Sequence, residues 1–187
     1  MIRLPAFVAT ACAIFACGGA AAQSSGDAQA VSKEASGFYG VYMTLHPSDG
    51  IPDAKVRAKF APFVSPALDR LFAEGDAVEA RYAAATKHQS PPLVEGDPFT
   101  PNFEGATAVR IGTCEVDAGG GHCAMALTYD DRKGRPLLWT DTVVLVRTSA
   151  GWRVDDILYG GNWDFGNKGR LTETLKHAIA EGNAFAK

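Results

Sequence analysis

The densest group of side chains able to exchange protons lies in the C-terminal third, where Asp141, Asp155, Asp156 and Tyr159 stand close together. A four-residue turn at Thr148 to Gly151 predicts that Asp141 opposes Leu158 and that Val143 opposes Asp156. Asp141 and Asp156 would then be diagonal neighbours on one sheet face, within reach of each other. Two carboxylates beside Trp139 and Trp152 would have their pKa values pushed apart, one holding a proton while the other stays charged. With Tyr159, that set is a usable acid/base arrangement for a small-molecule isomerase, dehydratase or hydrolase. The competing reading is structural: acidic residues in sheets mostly accept backbone or arginine hydrogen bonds or face water. Strand register decides between them, because a slip of one residue moves the two carboxylates to opposite faces.

A second set lies in HQSPPLVEGDPFTPNFEG, residues 88–105, which holds four prolines and two glycines and no usable period. Long irregular loops are uncommon in compact domains and are often functional. Glu95, Asp97 and Glu104 would cover a pocket mouth or meet a partner, although Asp97-Pro98 is equally a turn starter. Trp139 and Trp163 are the aromatic candidates for ligand contact. The segment GNWDFGNK (161–168) echoes a phosphate loop but fails as one. An asparagine separates its last glycine from the lysine, no Ser or Thr follows, and Asp164 would repel phosphate. The four histidines, at 46, 88, 122 and 177, share no metal-ligand spacing with one another or with the cysteines. No metal and no cofactor is expected. Nucleophile signatures such as G-x-S-x-G are absent from the sequence.

The elements that must position these residues follow from periodicity. Val31, Ala35, Phe38, Tyr42 and Leu45 recur at steps of four and three, which predicts a helix over about 30–46. A short helix after Pro52 carries Val56, Phe60 and Phe63. Ser65-Pro66 reads as an N-cap with proline at the first helical position, opening a helix to about Lys87. Beyond the loop, β-type runs at about 106–116, 122–130, 137–147 and 152–159 are joined by turn residues, predicting an antiparallel meander. A terminal helix contains Leu175, Ala178 and Ile179 and ends near Gly182. Helices followed by strands describe an α+β domain: N-terminal helices packed on a curved antiparallel four-stranded sheet, with a C-terminal helix.

Compartment is written at the N-terminus. MIRLPAFVATACAIFACGGAAAQSS has one positive charge, an uncharged run and then small residues, the layout of an export signal. The run is too short to span a bilayer. Ala20-Ala21-Ala22 predicts cleavage before Gln23, giving a 1–22 signal, a polar flexible stretch at 23–29 and one domain over 30–187. Ile14-Phe15-Ala16-Cys17 offers the alternative of a lipoprotein anchored through Cys17. Periplasmic or secreted placement is expected in the first case, and membrane tethering in the second. The chain has 18 basic and 21 acidic residues, net −3, without a basic stripe. Nucleic acid and anionic membrane surfaces are therefore poor partners. Of four cysteines, Cys114 and Cys123 remain after cleavage. A hairpin symmetric about residues 118 and 119 sets them directly opposite each other, and an oxidising compartment would join them.

The segments PPLVEGDPFTPNFEG, WTDTVVLV and WRVDDILYGGNWDFGNKGRL resemble a group of small exported bacterial proteins of unknown function. That group belongs to the nuclear transport factor 2-like (cystatin-like) superfamily, and the resemblance covers roughly residues 35 to 176. It implies a cone-shaped fold and a pocket between sheet and helices rather than an activity, because that fold hosts enzymes, scaffolds, binding modules and inhibitors alike. Three functions are carried forward: a non-catalytic module binding a small ligand or a protein, an enzyme using Asp141 or Asp156 with Tyr159, and an inhibitor or immunity-type protein.

Overall fold

The computed structural model describes residues 19–45, 49–161, 163–164 and 166–185, with only the backbone described over 19–25. The expected signal lies largely outside them, as do Cys12, Cys17 and the helix-ending His46. Among the described residues no helix is long and apolar enough to cross a membrane.

Four helices and four strands follow in the order α1 (Gly19–Leu45), α2 (Ala54–Phe60), α3 (Pro66–Ala85), β1 (Ala108–Asp117), β2 (Gly120–Tyr129), β3 (Leu137–Thr148), β4 (Gly151–Leu158) and α4 (Leu171–Phe185). The strands form one open antiparallel sheet in the order β1-β2-β3-β4, the expected meander. The fold is α+β.

α1 begins well before the expected residue 30, and the stretch read as flexible is part of it. Asp27 fixes it there, accepting from Arg147 at 3.0 Å and from the Trp152 indole at 3.3 Å. Val31, Ala35, Phe38, Tyr39 and Tyr42 form its buried stripe. At α3, Ser65 caps as expected, its hydroxyl accepting from Leu68 N–H at 3.0 Å ahead of Pro66. α4 continues three residues beyond Gly182, which packs against Val78 and Leu93 instead of ending the helix.

Segment 88–105 begins on the surface, and from Val94 to Asn102 every residue except Glu95 is buried. Phe99 is fully buried, with ring centroids 5.0 Å from Phe60, 5.6 Å from Phe38 and 5.9 Å from Phe72. Burying one phenylalanine contributes roughly 2–3 kcal/mol, enough to hold a short segment in place.

Cys114 and Cys123 face each other across β1 and β2 with Cα atoms 4.1 Å apart and are joined by a disulfide. Asp117 pairs with Gly120, so the hairpin has the symmetry read from its turn.

Candidate functional site

The polar residues of the interior come from four separate elements. α1 supplies Tyr39 and Tyr42, one turn-step apart on its buried face. The long loop supplies Asp97, β3 supplies Trp139 and Asp141, and the exit of β4 supplies Tyr159.

Asp97 is fully buried. One of its oxygens accepts from Phe99 N–H at 2.7 Å, a turn closed by the side chain, as Asp-Pro sequences favour. The other accepts from the Tyr42 hydroxyl at 2.7 Å, and Tyr42 Oη in turn accepts from Ala106 N–H at 2.7 Å. Burial pushes the Asp97 carboxyl up to about 7, against the opposing pull of the Tyr42 and Phe99 bonds. Asp141 is also fully buried, accepting from Trp139 Nε1 at 3.0 Å and from Gly160 N–H at 2.7 Å. Burial raises it to about 6, and its hydrogen bonds hold it from rising further. Desolvation raises Tyr42 and Tyr159 above the ordinary phenol value as well. The Tyr159 hydroxyl donates to the carbonyl of Pro98 at 2.5 Å.

Tyr39 is different. Its hydroxyl is buried and has no hydrogen-bond partner among the described residues. Desolvation raises its pKa first, followed by the charges of Asp141 and Asp97, which face the same interior. The sequence reading missed this residue, although it lies four positions after Ala35 on the same helical stripe.

Asp156 does not join the group. β4 carries a bulge where Leu145 pairs with Val154 but Val144 pairs with Asp156, leaving Asp155 as the extra residue. Leu158 therefore opposes Thr142, not Asp141, and Asp156 opposes Val144, not Val143. Since side chains alternate, Asp156 shares its face with Val144, opposite to Asp141. The expected diagonal pair of carboxylates does not form. Asp156 instead accepts from Thr172 N–H at 3.0 Å and Thr172 Oγ1 at 2.8 Å at the start of α4, with Arg170 Nη1 at 3.3 Å. A carboxylate at a helix N-terminus stabilises it by satisfying free N–H groups and opposing the helix dipole. Asp155 accepts from the Ser65 hydroxyl at the start of α3.

The remaining candidates lie apart. Trp163 meets the edge of Trp139, with centroids 5.5 Å apart; both pack on the core, and Trp139 also lines a groove of about 570 Å³ along the sheet. Glu95 is exposed and lines a groove of about 740 Å³ with Lys168, Glu173, His177 and Glu181. Glu104 is exposed too. No cluster of His, Cys, Asp and Glu suited to a metal ion occurs among the described residues.

Comparison of the chain with protein-family models, curated proteins and solved structures finds no match.

Chemically, Asp97, Asp141 and Asp156 are each engaged by donors of the fold itself. None of Asp97, Asp141 or Tyr159 lines any of the grooves described here. Tyr39 does, in a groove of about 380 Å³ between α1 and the β1–β2 hairpin.

Proposed function

We propose that the chain is an exported, non-catalytic binding module on a nuclear transport factor 2-like cone, taking a small molecule between α1 and the sheet. One contrast supports this above all. The carboxylates that could move protons are already bonded within the fold, whereas Tyr39 offers a buried hydroxyl with no partner. Groups used up in this way position structure, whereas Tyr39 lines a groove and its buried hydroxyl leaves a hydrogen bond unmade beside it. Export is supported by the sequence at Ala20–Ala22 and by the Cys114–Cys123 disulfide, a bond that persists in oxidising compartments.

Native mass spectrometry of the full chain, purified from cells expressing it with its own N-terminus, tests the binding reading. A retained small molecule that is lost in Tyr39→Phe is the expected result. Intact-mass analysis of the same sample tests export, with a chain starting at Gln23 expected and an acylated Cys17 placing the protein on a membrane.

Enzymatic action on a small molecule is the second reading, favoured by Asp97 and Asp141 being held near neutrality around Tyr39. Asp156 has no part in it. Turnover of a carbonyl substrate that Asp141→Asn abolishes would replace the binding reading with this one.

A further inference from the structure

Alternation along the strands gives the sheet two faces. Val109, Ile111 and Met125 point to α1, so Arg110 and its partner Ala126 point away from it. α1 is the helix packed on β1, β2 and β3, which leaves their other face open to solvent. The groove of about 570 Å³ along the sheet lies there, over two rows of directly opposed residues. One row is Ala108, Thr128 and Leu138, and the next is Arg110, Ala126 and Thr140. Ala126 forms the floor between longer side chains on β1 and β3.

The groove combines apolar surface with unused polar groups. Leu138 is 72% exposed, the most exposed large apolar side chain among the described residues. The Arg110 guanidinium and the Thr128 and Thr140 hydroxyls make no hydrogen bond or ion pair among the described residues. Arg110 is the single ionisable side chain that lines the groove. Just beyond the row of Thr128 and Leu138, the exposed β2–β3 turn adds Arg132, Lys133 and Arg135, none of them in an ion pair among the described residues. Asp130 and Asp131 of that turn accept from the backbone N–H groups of Arg132 at 2.8 Å and Lys133 at 2.9 Å. Glu104, whose charge acts on Tyr129, is the third carboxylate at this end. Cations outnumber carboxylates here, in a chain whose net charge is −3.

Shape and sign select the occupant. Small-molecule sites enclose most of their ligand, whereas a groove on an open sheet face touches one side only. Its occupant must bring its own cover, as a segment of a folded protein does. A second copy pairing this groove with itself would oppose two positive surfaces. A carboxylate, by contrast, is gripped by a free guanidinium through two parallel bonds.

We propose that this groove docks an acidic, partly apolar segment of another protein, with a carboxylate held by Arg110 and an apolar side chain against Leu138 and Ala126. The surface lies on the face opposite α1, so it goes beyond the small-molecule reading and stands or falls separately from it.

Selection of random phage-displayed peptides against the purified full chain, followed by fluorescence anisotropy of the selected peptides, tests it. The expected consensus joins Asp or Glu to Leu, Ile, Val or Phe. Arg110→Glu and Leu138→Asp should each weaken these peptides by about tenfold or more, and Arg110→Gln by less. Both positions are exposed, so melting temperatures should stay at the wild-type value. If Leu138→Asp unfolds the chain, the two Arg110 variants decide alone. Tyr39→Phe should leave peptide binding unchanged. Failure to select any peptide, a consensus without acidic residues, or binding indifferent to Arg110→Glu would overturn the proposal. So would a dimer in sedimentation velocity that Leu138→Asp dissolves, which would give the face to a second copy.

Discussion

Replacing Asp97 with asparagine separates the electrostatic cost of this carboxyl from its role as a turn former. In the folded chain it is raised from 3.8 to about 7, chiefly by burial. Between pH 4 and pH 7 the folded state thus keeps a proton that the unfolded state has already lost. Stability must fall as pH rises through that window, and the loss is complete above pH 7 and absent below pH 4. A displacement of about 3 pKa units at 1.36 kcal/mol each sets the penalty at about 4 kcal/mol at most. Asparagine cannot ionise, and its oxygen still accepts from Phe99 N–H. Its amide meets Tyr42 less well, since Tyr42 Oη already accepts from Ala106. That mismatch costs about 1 kcal/mol at every pH. Asp97→Asn should consequently be slightly less stable than wild type at pH 4 and more stable by about 2–3 kcal/mol at pH 8. Urea unfolding followed by circular dichroism at unit steps from pH 4 to pH 8 measures both proteins. A difference between them that does not change with pH would refute the reasoning, as would wild-type stability rising from pH 4 to pH 7.

Other perturbations give independent checks. The double variant Cys114→Ser/Cys123→Ser should lose about 2 kcal/mol in urea unfolding, the low end of the usual range because the closed loop is short. Native wild type should titrate no thiol from this pair without reductant. Tyr39→Phe should gain about 1 kcal/mol in the same assay, because it removes a hydroxyl whose desolvation nothing repays. Gly182→Ala should lose about 1–3 kcal/mol despite its better helix propensity, since the new Cβ would meet Val78 at 2.4 Å and Leu93 at 2.7 Å. Gly40→Ala, at an exposed helical position where a Cβ meets only open space, should instead raise the melting temperature.

Legibility of the fold depended on the range of the interaction concerned. The Cys114–Cys123 pair was readable because a turn of Asp, Ala and glycines sits midway between them and sets the register locally. Ser65 was readable because capping depends on residues three apart. The register of β4 was not, since its extra residue is held in place by Ser65, ninety positions earlier. One uncounted residue was enough to send Asp156 to the opposite face. Asp97 was recognisable as a turn former from Asp97-Pro98, but its tyrosine partner lies fifty-five residues away, and no pattern in a single sequence reports such a pairing. Gly182 read as a helix end because glycine usually stops helices; its actual role, close contact with α3 and the loop, is again long-range.

The bulge in β4 gives two consecutive aspartates different anchorages. Asp155 is tied to the first residues of α3 and Asp156 to the first residues of α4, while Val154 and Ile157 on either side remain in the core. Both helices are thus hinged from a single point on one strand, and α3 and α4 pack extensively on each other. Any displacement of that strand would carry the pair together as one lever. Excising Asp155 would straighten the ladder with Asp156 still opposite Val144 and Ile157 still opposite Val143, so that α3 alone would lose its anchor while α4 kept its own.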